Sequence, residues 1–98
     1  MLNQFARTEL LLGRAALDKL RQSHVAVFGI GGVGGYTVEA LARSGVERFT
    51  LVDSDTVSLT NLNRQIIALQ ETVGQYKVDV MAERIHSINP EAVVEVHR

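Results

Sequence analysis

Val25-Ala26-Val27-Phe28-Gly29-Ile30-Gly31-Gly32-Val33-Gly34-Gly35 decides the fold of this chain. A short apolar run passes into a cluster of glycines, and a helical pattern begins at about Val33. Gly29, Gly31 and Gly34 fit the spacing G-x-G-x-x-G. A residue without a Cβ permits a sharp turn and the close approach of a phosphate. The free N–H groups at the start of the following helix then face the anion. The motif alone points only to a nucleotide.

Working outward, the apolar run Val25 to Gly29 is the pattern of a parallel strand covered on both faces. From Val33 to Ser44, the residues Val33, Tyr36, Thr37, Ala40 and Leu41 recur at helical spacing and predict an inward stripe. Gly45 stops that helix. Arg48 to Asp53 is a second strand ending in an acid. Strand–helix–strand units of this length give a parallel pair with a right-handed crossover. Ser54 to Thr72 is polar and broken, with a turn of helix expected near Thr60 to Gln65, capped by Thr60 or Asn61. A helix opens at Gly74 to Lys77, buries Val78, Met81, Ala82, Ile85 and Ile88, and stops at Asn89-Pro90. Ala92 to Val96 is a third strand. Ahead of all this, Leu2 to Leu12 and Ala15 to Leu20 read as two short helices that pack on the nucleotide domain or on another subunit. The expected organisation is an N-terminal helical segment, 1–22, and a Rossmann-like α/β domain, 23–98. With a strand so near the last residue and nothing after it to cover its faces, the chain is expected to be the N-terminal part of a longer protein.

Composition narrows the classes. The chain has 98 residues, is 46% hydrophobic and carries a net charge of −1. That is a globular composition, without a basic run to bind nucleic acid. The absence of cysteine excludes disulfides, thiolate zinc sites and a cysteine nucleophile within these residues. No apolar run approaches membrane-spanning length, so a cytoplasmic protein that binds no membrane is the default expectation. His24, His86 and His97 are scattered and carry no metal-ligand spacing.

Asp53 lies 22 positions after Gly31, at the end of the second strand. An acid there accepts hydrogen bonds from ribose hydroxyls, in a dinucleotide enzyme and an ATP enzyme alike. The run Asn61-Leu62-Asn63-Arg64-Gln65, followed by Lys77, separates the two. A dehydrogenase has no need of it, whereas an enzyme handling a triphosphate needs fixed cations and neutral donors around departing pyrophosphate. Arg64 is suited to grip phosphate oxygens in a fork, and Lys77 adds a point charge in the first turn of a helix. Taken singly, each has an ordinary reading as a solvated surface residue.

The set Gly29-x-Gly31-Gly32-x-Gly34, Asp53-x-Asp55-x-Val57, Asn61-Leu62-Asn63-Arg64-Gln65 and Val73-Gly74-x-x-Lys77 resembles the ThiF/MoeB/HesA superfamily of ubiquitin-activating-type adenylating enzymes. The likeness runs from about Phe5 to Val96. Ala40 to Gly45, Asn63 to Leu69 and Val80 to Glu91 are most similar to the branch that dehydrates threonylcarbamoyladenosine in tRNA. The resemblance implies ATP as cosubstrate with Mg2+, a homodimer, and adenylation of a carboxylate. In this branch the carboxylate belongs to the threonylcarbamoyl group on a tRNA adenosine. In the alternative branches it is the C-terminus of a ubiquitin-like sulfur-carrier protein. A non-catalytic interaction module is a further alternative. By position, the resemblance implies a nucleotide site of Gly29, Gly31, Gly32, Gly34, Asp53, Asp55, Asn61, Asn63, Arg64 and Lys77. Gly31 and Gly32 face the nucleotide, Asp53 holds the ribose, and Asn61, Arg64 and Lys77 contact phosphates. Phe5-Ala6-Arg7 is similar to the family's aromatic-x-Arg, which makes Arg7 an arginine acting in the partner's site. The family's magnesium-associated acid belongs to a later strand, outside these residues.

Overall fold

The computed structural model describes residues 3–98. Three parallel strands, β1 (His24–Phe28), β2 (Arg48–Val52) and β3 (Val93–His97), lie side by side in the order β1-β2-β3. The register is direct, with His24 beside Arg48 and Arg48 beside Val93. Helix α3 (Gly32–Ser44) connects β1 to β2, and α4 (Lys77–Ile88) connects β2 to β3. Two short helices, α1 (Ala6–Leu12) and α2 (Arg14–Gln22), precede the sheet. Single 3-10 turns, Leu59–Asn63 and Gln70–Thr72, interrupt the long connection before α4. The elements thus follow the expected α/β order to within a residue or two. Leu2, the first apolar position of the expected N-terminal helix, lies outside the described residues.

The core forms where the crossover helices lie on the sheet. Val38 and Ala42 of α3, and Val78, Met81 and Ile85 of α4, are buried with Phe49 and Leu51 of the central strand. Val25, Val27, Val94 and Val96 pack against the same cluster from the flanking strands. Both helices cover this one face, because two successive right-handed crossovers moving in the same direction along a sheet return on the same side.

Two expectations need correction. First, β1 is not covered on both faces. Its exposure alternates, as does that of β3. The second sheet face is bare and carries His24, Ala26 and Phe28, then Arg48, Thr50 and Val52, then Val93, Glu95 and His97. Part of this face is polar: the His24 imidazole lies 2.7 Å from the Thr50 hydroxyl, and Glu95 lies 3.5 Å from His97. Second, α3 turns a different stripe inward. Val33 and Tyr36 are 84% and 54% exposed, and Ala40 also faces out, while Gly35, Val38 and Ala42 are buried. The helix is fixed in rotation by its glycines. A Cβ on Gly35 would meet the Ile66 side chain at 3.3 Å, so that face sits too close to its neighbours for anything but glycine or a small residue.

The N-terminal helices dock through few groups. Leu17 of α2 is buried, and Leu20 packs against the core. Phe5 is buried beneath the Arg21 guanidinium, which lies 5.5 Å from its ring centroid. Leu10, Leu11 and Leu12 of α1 are exposed. No helix among the described residues is long and apolar enough to cross a membrane.

Helices α3 and α4 are joined by an ion-pair cluster. Glu39 takes a two-point contact from Arg84, with Arg43 at 3.5 Å on the same helix. The Arg84 hydrogen bond holds the Glu39 carboxyl below its ordinary value of 4.5, against an opposing effect of partial burial, and the charges of Arg84 and Arg43 add to it. A carboxyl lowered in the folded state contributes stability above its unfolded pKa and loses that contribution as pH falls through the folded value. Glu39→Gln is therefore expected to cost about 1 kcal/mol at pH 7. The difference from wild type should shrink in urea melts as pH falls below 4.5 and through the lowered folded-state value, beyond which both chains carry a neutral group. A penalty that persists in acid would mean that packing, and not charge, joins the helices.

Candidate functional site

The glycine turn leaves β1 at Gly29, whose φ of 94° lies in the left-handed region that glycine tolerates. Its N–H donates to the Val52 carbonyl at 2.8 Å, so the turn begins as an extension of the sheet. The chain then enters α3 at Gly32, with Gly31 at the capping position and no side chain closing the helix start. The turn is as tight as it is because of Gly34. A Cβ on that residue would sit 1.9 Å from the Gly29 carbonyl oxygen. At Gly32 a Cβ would meet nothing within 4 Å. The chain packs closely behind the turn and leaves its front open, as a backbone anion site requires.

Asp53 lies just beyond the end of β2. One carboxylate oxygen accepts the Ile30 N–H at 2.7 Å, and the other accepts the Asp55 N–H at 2.8 Å. The acid expected to hold a ribose thus also ties the glycine turn to the loop after β2. Asp55 in turn offers its carbonyl to the Lys77 N–H at 3.0 Å. A Thr56–Tyr76 bridge and two hydrogen bonds of Val57, to Gly74 and Gln75, clamp the same loop to the start of α4. Gly29, Asp53, Asp55 and Lys77 are therefore joined by a continuous string of main-chain and carboxylate contacts.

Lys77 is the first residue of α4 and is only 6% exposed. Among the described residues, no carboxylate lies within ion-pair distance of its ammonium. A cation at the positive end of a helix gains nothing from the helix. A largely buried one without a partner is an unfavourable placement that a bound anion would relieve.

The second string runs through the 3-10 turn. Asn61 is buried, and its side-chain oxygen accepts the Ser58 N–H at 2.9 Å. The capping position is therefore Ser58 rather than Thr60 or Asn61, although the Asn61 side chain does bond back to the turn's start. The Asn61 carbonyl accepts from both Arg64 N–H and Gln65 N–H. Arg64 is exposed, and its guanidinium donates to the Asn63 side-chain oxygen at 2.8 Å and to the Thr60 carbonyl at 3.1 Å. Asn63 is also exposed. The two strings meet at Gln65, which is not among the site residues expected from the sequence. Its Nε2 lies 3.8 Å from the position of a Cβ on Gly31. Its place in the Asn-Leu-Asn-Arg-Gln run was the available signal.

Arg7 lies exposed on α1 and makes no hydrogen bond or ion pair within the chain among the described residues. The clefts of about 450 Å³ lie between α4 and the preceding loop and beside Gln4, Arg43 and Ile88, away from the glycine turn. The geometry of the turn, and not cavity size, identifies the candidate site, because a phosphate bound at a helix start needs no deep pocket. No cluster of three metal-ligating side chains occurs among the described residues. Both oxygens of Asp53 already accept amides, which leaves Asp55 as the one exposed carboxylate of this loop. These residues do not by themselves form a Mg2+ site.

A profile described as the ThiF family matches residues 4–98. The tRNA threonylcarbamoyladenosine dehydratase of Bacillus subtilis is 58% identical over 94 residues, covering 96% of this chain and 37% of that protein. The crystal structures of E. coli tRNA N6-threonylcarbamoyladenosine dehydratase, TcdA, in complex with ATP and with AMP each superpose with a TM-score of 0.94 at 51% identity. Each match covers 96% of this chain and 39% of the E. coli chain. The chain thus spans less than half the length of these relatives.

Two substitutions separate the back of the turn from its front. Gly34→Ala is expected to destabilise the chain by at least about 3 kcal/mol, since the methyl group collides with backbone. Gly32→Ala, at a helix start with open space before it, should stay within about 1 kcal/mol of wild type. Equilibrium denaturation of both variants measures the contrast, and equal losses would show that the turn is not packed as described.

Proposed function

Since this chain belongs to the ThiF family, we propose that it supplies the nucleotide-binding part of an ATP-dependent carboxylate-adenylating enzyme of the tRNA threonylcarbamoyladenosine dehydratase type. The observation that carries this reading is Lys77: a largely buried cation, unpaired among the described residues, at the positive end of a helix bonded to the loop that follows Asp53. The ATP and AMP complexes of the E. coli relative, and the 58% identity to the B. subtilis dehydratase, support it.

In the proposed reaction a carboxylate oxygen of the threonylcarbamoyl group on tRNA attacks the α-phosphorus of ATP. The bond to the bridging oxygen of pyrophosphate breaks, and an acyl-adenylate forms. A group within the same modification then attacks the acyl carbon. AMP departs with one former carboxylate oxygen, and the ring closes with net loss of water. The residues of this chain bind and orient. The open amides at the start of α3 face the phosphates beside Gly31 and Gly32. The Asp53 carboxylate has lone pairs beyond the two it commits to Ile30 and Asp55, and these accept the ribose hydroxyls. Arg64 leaves its exposed contacts with Asn63 and Thr60 to fork onto phosphate oxygens, with Asn61 as a neutral donor. Lys77 offsets the charge that develops on departing pyrophosphate. Mg2+ would act as counter-charge on the phosphates, with a ligand set these residues do not complete. Arg7 is assigned to the site of the partner subunit in a homodimer, in keeping with its solvent exposure.

ATP–pyrophosphate exchange in the intact protein, with substrate tRNA, tests this reading. Arg64→Ala and Lys77→Ala are each expected to lower exchange by about a hundredfold or more, with little change in thermal unfolding. Gly32→Ala should weaken ATP binding, because its methyl group would occupy the open front of the turn. Full exchange in the Arg64 and Lys77 variants would remove both residues from the site.

A further inference from the structure

Arg7 is carried by a helix that adds nothing to the core. Helix α1 is 7 residues long and has no buried residue. Leu10 and Leu11, on the same helical face as Arg7, are 86% and 87% exposed. So short a helix does not hold its shape in water by itself. The placement of α1 therefore depends on its two ends. One is the corner at Gly13, with a φ of 87°, that leads into α2. The other is Phe5, whose carbonyl accepts the Glu9 N–H at 2.9 Å and which is only 5% exposed.

Phe5 is fastened at the base of the sheet, the end of the strands away from the glycine turn. The Arg21 guanidinium covers its ring. The Arg21 Nε is buried without a hydrogen-bond partner, and a Glu47 carboxylate oxygen 3.6 Å away supplies the opposite charge. Glu47 immediately precedes β2, and its carbonyl accepts the N–H of Val93, the first residue of β3, at 2.7 Å. Gln4 adds a hydrogen bond to the Ile88 carbonyl at the end of α4, at 2.9 Å. A line of contacts thus runs from two strands through Glu47, Arg21 and Phe5 to the root of α1.

We propose that Arg21 and Glu47 are positioning residues for Arg7: they fix the root of α1, and with it the point where Arg7 enters the second site of a homodimer. The inference rests on the assignment of Arg7 made above. Both residues stand at the opposite end of the strands from Gly29 and Asp53. They therefore reach no nucleotide in their own subunit, and their effect falls on the site that receives α1.

ATP–pyrophosphate exchange in the intact protein, with substrate tRNA, tests this in hybrid dimers. Glu47→Gln is expected to lower the exchange rate about tenfold, with the KM for ATP within about twofold of wild type, and Arg21→Met to match it. In an Arg7→Ala background Glu47→Gln lowers nothing further, because both changes remove the same contribution. A Lys77→Ala subunit paired with a Glu47→Gln subunit keeps one live site, served by an intact α1, and should give about half the wild-type exchange. A subunit carrying both changes, paired with a wild-type subunit, leaves the live site served by the loosened α1. That hybrid should fall about tenfold below the first. Equal exchange in the two hybrids, a loss that stays with the subunit owning the live site, or losses that add to that of Arg7→Ala would make the pair merely structural and overturn the proposal. So would wild-type exchange in Glu47→Gln while Arg7→Ala is impaired. Full exchange in Arg7→Ala would instead overturn the assignment of Arg7 itself.

Discussion

One carboxylate holds the working end of this molecule together. Asp53 accepts the N–H of Ile30 from the glycine turn and the N–H of Asp55 from the loop after β2. Both bonds are short and charge-assisted, the stronger class of protein hydrogen bond. Through Ile30 the acid fixes the approach to α3. Through Asp55, whose carbonyl takes the Lys77 N–H, it fixes the start of α4. The starts of α3 and α4 are thus aligned through one carboxylate. Loosening it would release the glycine turn and the start of α4 together.

The electrostatics follow from that alignment. Helix α3 presents an uncapped positive end, and α4 begins with a lysine that is only 6% exposed. Neither arrangement stabilises an empty chain. Elsewhere in the described residues, charges are handled in the usual way. Glu39 lies between Arg84 and Arg43, Asp79 meets Arg98 at 2.7 Å, and Glu47 lies 3.6 Å from Arg21. Those cations are paired or solvated, whereas Lys77 is 6% exposed and has no carboxylate partner among the described residues.

The sheet shows the opposite economy. One face is dry under α3 and α4, while the other carries Phe28, 77% exposed, near the polar set of His24, Thr50, Glu95 and His97. The valines at 25 and 27 suggested full cover because apolar runs are how doubly covered parallel strands read. That signal records composition and not which face a helix reaches. With both crossovers on one side, the alternate residues Ala26 and Phe28 lie bare. The inward stripe of α3 departs from its hydrophobic pattern for a related reason. Hydrophobic periodicity gives no weight to glycine, yet Gly34 and Gly35 set the helix rotation by steric exclusion against Gly29 and Ile66. Val33 and Tyr36 look like core in a pattern and lie on the outside.

Amino-acid order alone determined the local events. Residues without a Cβ at 29, 31 and 34 make the turn, proline at 90 ends α4, and the acid after β2 falls where a ribose or an amide can reach it. It also determined the family, the ThiF profile matching residues 4–98. These are short-range constraints of chirality, ring closure and charge, legible wherever they occur. Only the tertiary structure decided that Asp53 spends its oxygens on Ile30 and Asp55, that Lys77 is buried without a partner while Arg64 is exposed, and that Gln65 reaches Gly31. Those facts depend on contacts between segments far apart in the chain. Whether a polar side chain ends up paired, orphaned or solvated is settled by what packs around it.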